Sequence, residues 1–280
     1  MIIDFRLRPP AKSFLRASMY TDMEKTGRMN RGFGMTLASS VKEKSMKLLL
    51  KEMDEAGISK GVIPARAPAP GLGGISNDEV AELVQEYPDR FIGFGAIDPS
   101  NRREALNEID RVIKVLGFKG VTVEPGMLTK PVYPNDQSLY PIYARCEELG
   151  IPVILTAGGN AGPDLSYTLP IFFDKVAVDF PSLPIISAHG SWPWVTEILH
   201  VAFRRTNVFV SPDMYLFNVP GCSEYIQAAN YYLEDRFLFA SSYPFVHLKQ
   251  AVDYVKNLSL KEGVLEKILY KNAQRLLGGD

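Results

Sequence analysis

Cysteine is close to absent from this 280-residue chain: Cys146 and Cys222 are the only two, and they form no C-x-x-C pair. That scarcity excludes a disulfide framework and fits a reducing, cytoplasmic setting. Histidine is almost as scarce, with His189, His200 and His247 the only three, too few for a histidine-rich metal centre. Neither sign of charge dominates. The 31 basic side chains face 32 acidic ones for a formal net charge of −1, which argues against a nucleic-acid-binding surface. No run approaches the roughly 20 apolar residues of a membrane span. The N-terminus lacks a basic stretch followed by an apolar one, so neither a signal peptide nor a membrane partner is expected.

What is present is alternation. Short apolar runs such as IPVILT and RFLFAS follow segments of helical periodicity such as VKEKSMKLLLKEMDEAG. Continuous apolar runs suit parallel strands buried on both faces. Counting IIDFRLR as the first, the chain holds eight strand–helix units with no compositional break, which predicts a single-domain (β/α)8 TIM barrel over residues 1–280. The stretch 9–40 does not fit the alternation. It reads as a long loop carrying Arg16, Arg28 and Arg31, a candidate lid over an anionic ligand or a subunit contact in a homodimer.

In such a barrel the chemistry sits at the C-terminal ends of the strands. Those positions give Arg6 and Arg8, Arg66, Asp98, Glu124, Thr156 with Asn160, His189, Asp213, and Ser242 with Tyr243, and Tyr215 is a candidate to line the pocket. Arg6 and Arg8, at i and i+2 of a strand, point to one face, so two fixed cations are aimed at one spot. They either grip a carboxylate through their planar forks or pair with Glu124 and Asp213.

The runs IIDFRLR, IISAHGSWPWVTEIL and RFLFASSYPF resemble the amidohydrolase-related family, the branch with aminocarboxymuconate-semialdehyde decarboxylases, benzoate-type decarboxylases and lactone hydrolases. There the corresponding runs usually read IDxHxH, AHxGxxxP and ILFGSDxP. The resemblance implies a metal-binding barrel enzyme, yet Arg6 and Arg8 stand where the first two histidine ligands would be. Thr156 and Ser242 replace two further ligand positions, and His189 alone matches. A guanidinium stays protonated and offers no lone pair to a metal.

The expectation is therefore a site with no cofactor. The alternative is one zinc or manganese ion on Glu124, His189 and Asp213. The leading reading is a metal-independent hydrolase of a small carboxylated substrate such as a lactone. In it, Asp213 or Glu124 activates water and His189 moves the proton. Arg6, Arg8, Arg66, Asn160, Thr156, Tyr215, Ser242 and Tyr243 bind the substrate. The first alternative is a decarboxylase or hydratase of an unsaturated dicarboxylate. The second is a non-catalytic protein that binds an anion.

Overall fold

The computed structural model describes residues 1–279. Seven strands, β1 (Ile3–Asp4), β2 (Lys60–Pro64), β3 (Phe91–Ala96), β4 (Gly120–Val123), β5 (Val153–Thr156), β6 (Ile185–Ala188) and β7 (Val208–Ser211), pair in sequence order. Every pairing is parallel. Around them run α1 (Met23–Gly32), α2 (Met46–Ala56), α3 (Asn77–Glu86), α4 (Arg102–Lys114), α5 (Tyr140–Leu149), α6 (Ile171–Asp179), α7 (Val195–Arg204), α8 (Cys222–Ala229) and α9 (Leu248–Lys256). Local chemistry sets their ends. Ser45 caps α2 by accepting from Leu48 N, and Gly57 closes it at φ 76°, the left-handed geometry glycine takes without a Cβ clash.

The expected eighth strand closes the barrel without becoming a regular strand. Leu238 N donates to Val210 O on the β7 side, and Phe5 N donates to Phe239 O on the β1 side. Two other amides leave the ladder: Phe239 N goes to Ile268 O, and Ser241 N goes to the Asp4 carboxylate at 2.9 Å. Side-chain and long-range acceptors thus replace part of the strand pairing. The result is a TIM-barrel fold whose final stave is irregular.

The barrel interior is a small apolar plug of Ile3, Phe5, Val62, Phe94, Ile154, Ile186 and Leu238, with Phe5 and Phe94 packed edge to face at 5.7 Å. A larger cluster fills the layer between strands and helices. Gly93 shows how tight that layer is: a Cβ there would meet the Phe118 ring at 2.4 Å.

Residues 9–40 are not the irregular loop that their polar, broken sequence suggests. They form short helices at Lys12–Arg16, Ser18–Thr21 and Ser39–Lys42 besides α1. Phe14, Met19 and Tyr20 are buried in the main core, so scattered apolar residues, too few to show a period, anchor the segment. No helix among the described residues is long and apolar enough to cross a membrane.

Candidate active site

The first strand bends at Phe5 and Arg6, and this turns the next side chains over the mouth of the barrel. Arg6 is 2% exposed. Its Nη2 donates to Glu124 Oε1 at 3.1 Å, and its Nε lies 3.7 Å from Asp213 Oδ2. Glu124, at the exit of β4, also accepts from Arg66 Nε at 2.6 Å. Burial alone would raise the Glu124 carboxyl, but the Arg66 and Arg6 guanidinium groups bring it down to about 2. Arg6, Arg66 and Glu124 therefore form a buried ion cluster that fills the centre of the mouth.

Arg8 is buried to the same degree, yet no carboxylate pairs with it among the described residues. Its one side-chain hydrogen bond runs from Nη1 to Ser242 Oγ at 3.3 Å. Burial, followed by the charges of Arg6 and Arg66, lowers its pKa well below the usual value. A guanidinium nonetheless stays protonated in proteins. Its backbone is clamped, since Tyr20 Oη donates to Arg8 O at 2.7 Å and Arg8 N donates to Tyr243 O. The side chain lines a cavity of about 90 Å³ together with Arg66, Asn160, His189 and Tyr215.

On the opposite wall His189 Nδ1 sits 2.8 Å from Asp213 Oδ1, and His189 N donates to Asp213 Oδ2 at 3.2 Å. A carboxylate only accepts, so Nδ1 carries the proton and Nε2 is left as a base. Burial lowers the His189 pKa more than the Asp213 carboxylate raises it, with Arg6 and Arg8 adding to the lowering. The imidazole is neutral at pH 7. Tyr215 meets its ring edge-on at 5.4 Å and stacks on Trp192 at 4.9 Å, which fixes the imidazole plane.

His189, Asp213 and Ser242 hold φ of 65°, 45° and 58°, in the left-handed region that side chains other than glycine rarely adopt. Three strand ends thus share backbone strain of the kind that collects at functional sites.

Not every residue singled out from the sequence reaches the cavity. Tyr243 lies outside the cavity lining: its hydroxyl bonds to Ser40 Oγ at 2.8 Å, and the ring is fully buried. Thr156 is wholly buried at the end of β5, its hydroxyl has no hydrogen-bond partner, and it is not part of the cavity lining. Ser242 accepts from Arg8 Nη1 and is not part of the cavity lining. Arg16 turns away to pair with Glu79 at 2.8 Å, and Arg28 and Arg31 face solvent. The roof of the cavity is instead made by Ser18, Met19, Lys25 and Met29, so residues 9–40 do cover the site.

Asp4 was missed, although it stands in the same run as the arginines. It is buried, accepts from Ser241 Oγ and N, and burial pushes its carboxyl up to about 6. Its place before the two arginines was the available signal.

The profile of the Amidohydrolase family matches residues 29–279. The chain belongs to the amidohydrolase family. Among solved structures, an uncharacterised TIM-barrel protein from Bordetella bronchiseptica is 48% identical, with a TM-score of 0.96 and coverage of 99% of this chain and 98% of that one. The gamma-resorcylate decarboxylase of Polaromonas sp. is 26% identical over 275 residues, 80% of this chain and 84% of its own. The 2-keto-4-carboxy-3-hexenedioate hydratase of Sphingobium sp. is 26% identical over 133 residues, 41% of this chain and 39% of its own. The relatives are therefore decarboxylases and a hydratase, where the leading expectation was a lactone hydrolase.

The dihydroxybenzoic acid decarboxylase structure from Polaromonas sp. shares the fold at 20% identity and a TM-score of 0.72, covering 99% of this chain and 96% of that one, and it holds bound manganese. That ion contradicts the expectation of a cofactor-free site, which is corrected: a divalent metal is the group to reckon with in this family. The side chains at this mouth do not fit one. Among the described residues no group of three or more His, Cys, Asp or Glu side chains could hold a metal ion. Glu124 and Asp213 are both engaged by Arg6, and a guanidinium repels a cation.

Proposed function

We propose that this amidohydrolase-family protein is a lyase, a decarboxylase or hydratase, acting on a small molecule that carries a carboxylate. One observation carries the reading. The guanidinium of Arg8, with only the neutral Ser242 as partner, lines the same cavity as His189. A buried cation with no carboxylate paired to it is costly unless an anion arrives, and the planar fork of arginine matches a carboxylate. Bound there, the substrate presents its carbon skeleton to Nε2 of His189.

The chemistry asks little more than a positioned proton carrier. In decarboxylation the C–CO2 bond breaks, its electron pair stays on the carbon, and a proton takes the place of the departing CO2. His189 Nε2 takes that proton from a substrate hydroxyl or from water and delivers it to the carbon. In hydration Nε2 removes a proton from water, the hydroxide adds to a C=C bond, and the neighbouring carbon receives the proton. Asp213 holds the tautomer and steadies the imidazolium that forms in either case. The names of the relatives favour these two reactions over lactone opening. Hydrolysis remains the second reading, because a neutral His189 also suits activation of water.

The test is turnover. Wild-type protein is incubated with 2,6-dihydroxybenzoate and with unsaturated di- and tricarboxylates, following CO2 release and loss of C=C absorbance, alongside His189→Gln. Turnover by the wild type and its loss in the variant are expected. Turnover of lactones alone, or binding without any turnover, would overturn the lyase reading.

A further inference from the structure

Resting on Arg8 as the carboxylate receptor, a second cation on the cavity wall says more about what the site takes. Lys25 lies in the first turns of α1 and lines the cavity from the roof. The start of α1 is fixed, because Asp22 caps it by accepting from Lys25 N at 3.0 Å. Lys25 itself is half-buried, and among the described residues no carboxylate pairs with its ammonium. The cations nearby in sequence behave differently, with Arg16 paired to Glu79 and Arg28 and Arg31 exposed. Lys25 is thus the basic side chain of this segment that is turned to the cavity.

Much of the remaining lining is apolar, with Met19, Met29, Met127, Met214 and Phe245 beside the Tyr215 ring. Methionine side chains adapt to a flat or slim hydrocarbon surface. The cavity measures about 90 Å³, so the occupant is a small molecule.

We propose that Lys25 is a specificity-determining residue that receives a second anionic group, so that the site selects a small dianion, such as a dicarboxylate with a short apolar middle, over a monocarboxylate. Arg8 holds one carboxylate through its fork, and Lys25 meets the other as a point charge on a flexible stem. A monoanion of the same length leaves Lys25 in water and gains nothing from it.

Equilibrium binding tests this apart from any turnover. Malonate, succinate, glutarate and butyrate are titrated calorimetrically into the full-length protein at fixed ionic strength, with Lys25→Met and Lys25→Arg as variants. The best diacid is expected to bind the wild type at least about tenfold more tightly than butyrate. Lys25→Met should bring that diacid to within about twofold of butyrate, with butyrate's own affinity unchanged, and Lys25→Arg should restore the preference. Two results overturn the proposal while leaving Arg8 in its role: a wild type that binds butyrate and the diacids equally, or a preference that survives in Lys25→Met. A wild type that binds none of the four acids removes the Arg8 reading and this one with it. Thermal melts of the variants confirm that the exposed start of α1 tolerates the change.

Discussion

Arg6 engages both carboxylates of the mouth, with its Nη2 3.1 Å from Glu124 Oε1 and its Nε 3.7 Å from Asp213 Oδ2. Arg8, two residues on, is left with Ser242 at 3.3 Å. The two arginines of the first strand therefore answer to different physics, one as part of an ion cluster and the other as a buried charge with no direct ion pair. Removing the second should relieve the fold while disabling the site. Arg8→Met is expected to raise stability by about 1–3 kcal/mol, read as a higher denaturant midpoint at unchanged slope. Arg8→Lys, which keeps the charge without the fork, should show no such gain. A destabilised Arg8→Met protein would mean that Arg8 is paired after all.

Glu124 is expected to behave in the opposite way. Glu124→Gln leaves Arg6 and Arg66 facing each other without their shared carboxylate and should cost about 3–5 kcal/mol. The pH dependence follows from a folded pKa lowered from 4.5 to about 2. A lowered acid contributes stability that is present above pH 4.5 and lost as pH falls towards 2. Chemical denaturation of both proteins across that window should show the fall in the wild type and a flatter profile in Glu124→Gln.

Asp4 gives a second, reversed window. Its folded pKa is raised from 3.8 to about 6 by burial, so the protonated form is favoured in the native state. The contribution is present below pH 3.8 and lost as pH rises through 6, amounting to about 2–3 kcal/mol by the shift. In Asp4→Asn, which keeps an acceptor for Ser241, that loss between pH 4 and 6 should vanish from the stability profile.

The His189–Asp213 pair sets the acid side of the rate profile. Nε2 acts only while the imidazole is neutral, and burial places its pKa below 6.5, so kcat/KM should be flat at neutral pH and fall below that point. Asp213→Asn removes the carboxylate that stabilises the imidazolium, and asparagine tolerates the backbone φ of 45° held there. The variant should lose about 10²–10⁴-fold in kcat, in the range of a misplaced proton carrier, and its acid limb should move to lower pH. A limb that stays in place would separate Asp213 from the chemistry.

Much of this was legible in the chain itself. The alternation of apolar runs and helical segments marks seven strands, and the strand-end rule placed Arg6, Arg8, Arg66, Glu124, His189 and Asp213 at one mouth. The eighth strand was read as regular because RFLFAS has the right composition, while the amide-to-side-chain bond from Ser241 to Asp4 is a tertiary event without local signature. Residues 9–40 were read as a candidate lid, but which of their side chains line the cavity was not legible for a related reason. Met19, Tyr20 and Lys25 carry no period of their own, and only packing against the barrel decides that Lys25 turns inward while Arg16, Arg28 and Arg31 turn out. Tyr243 and Thr156 lie outside the cavity lining, because a strand-end position gives placement and not orientation.

The central claim is that Arg8 receives a carboxylate in the cavity that His189 serves. Its most direct measurement is the affinity of 2,6-dihydroxybenzoate and succinate for wild type and Arg8→Met by calorimetry at fixed ionic strength. The account predicts binding of at least one of them to the wild type and a loss of about tenfold or more in the variant, in a protein at least as stable as the wild type. Equal affinity in the two proteins, or no binding of either acid to the wild type, would contradict it.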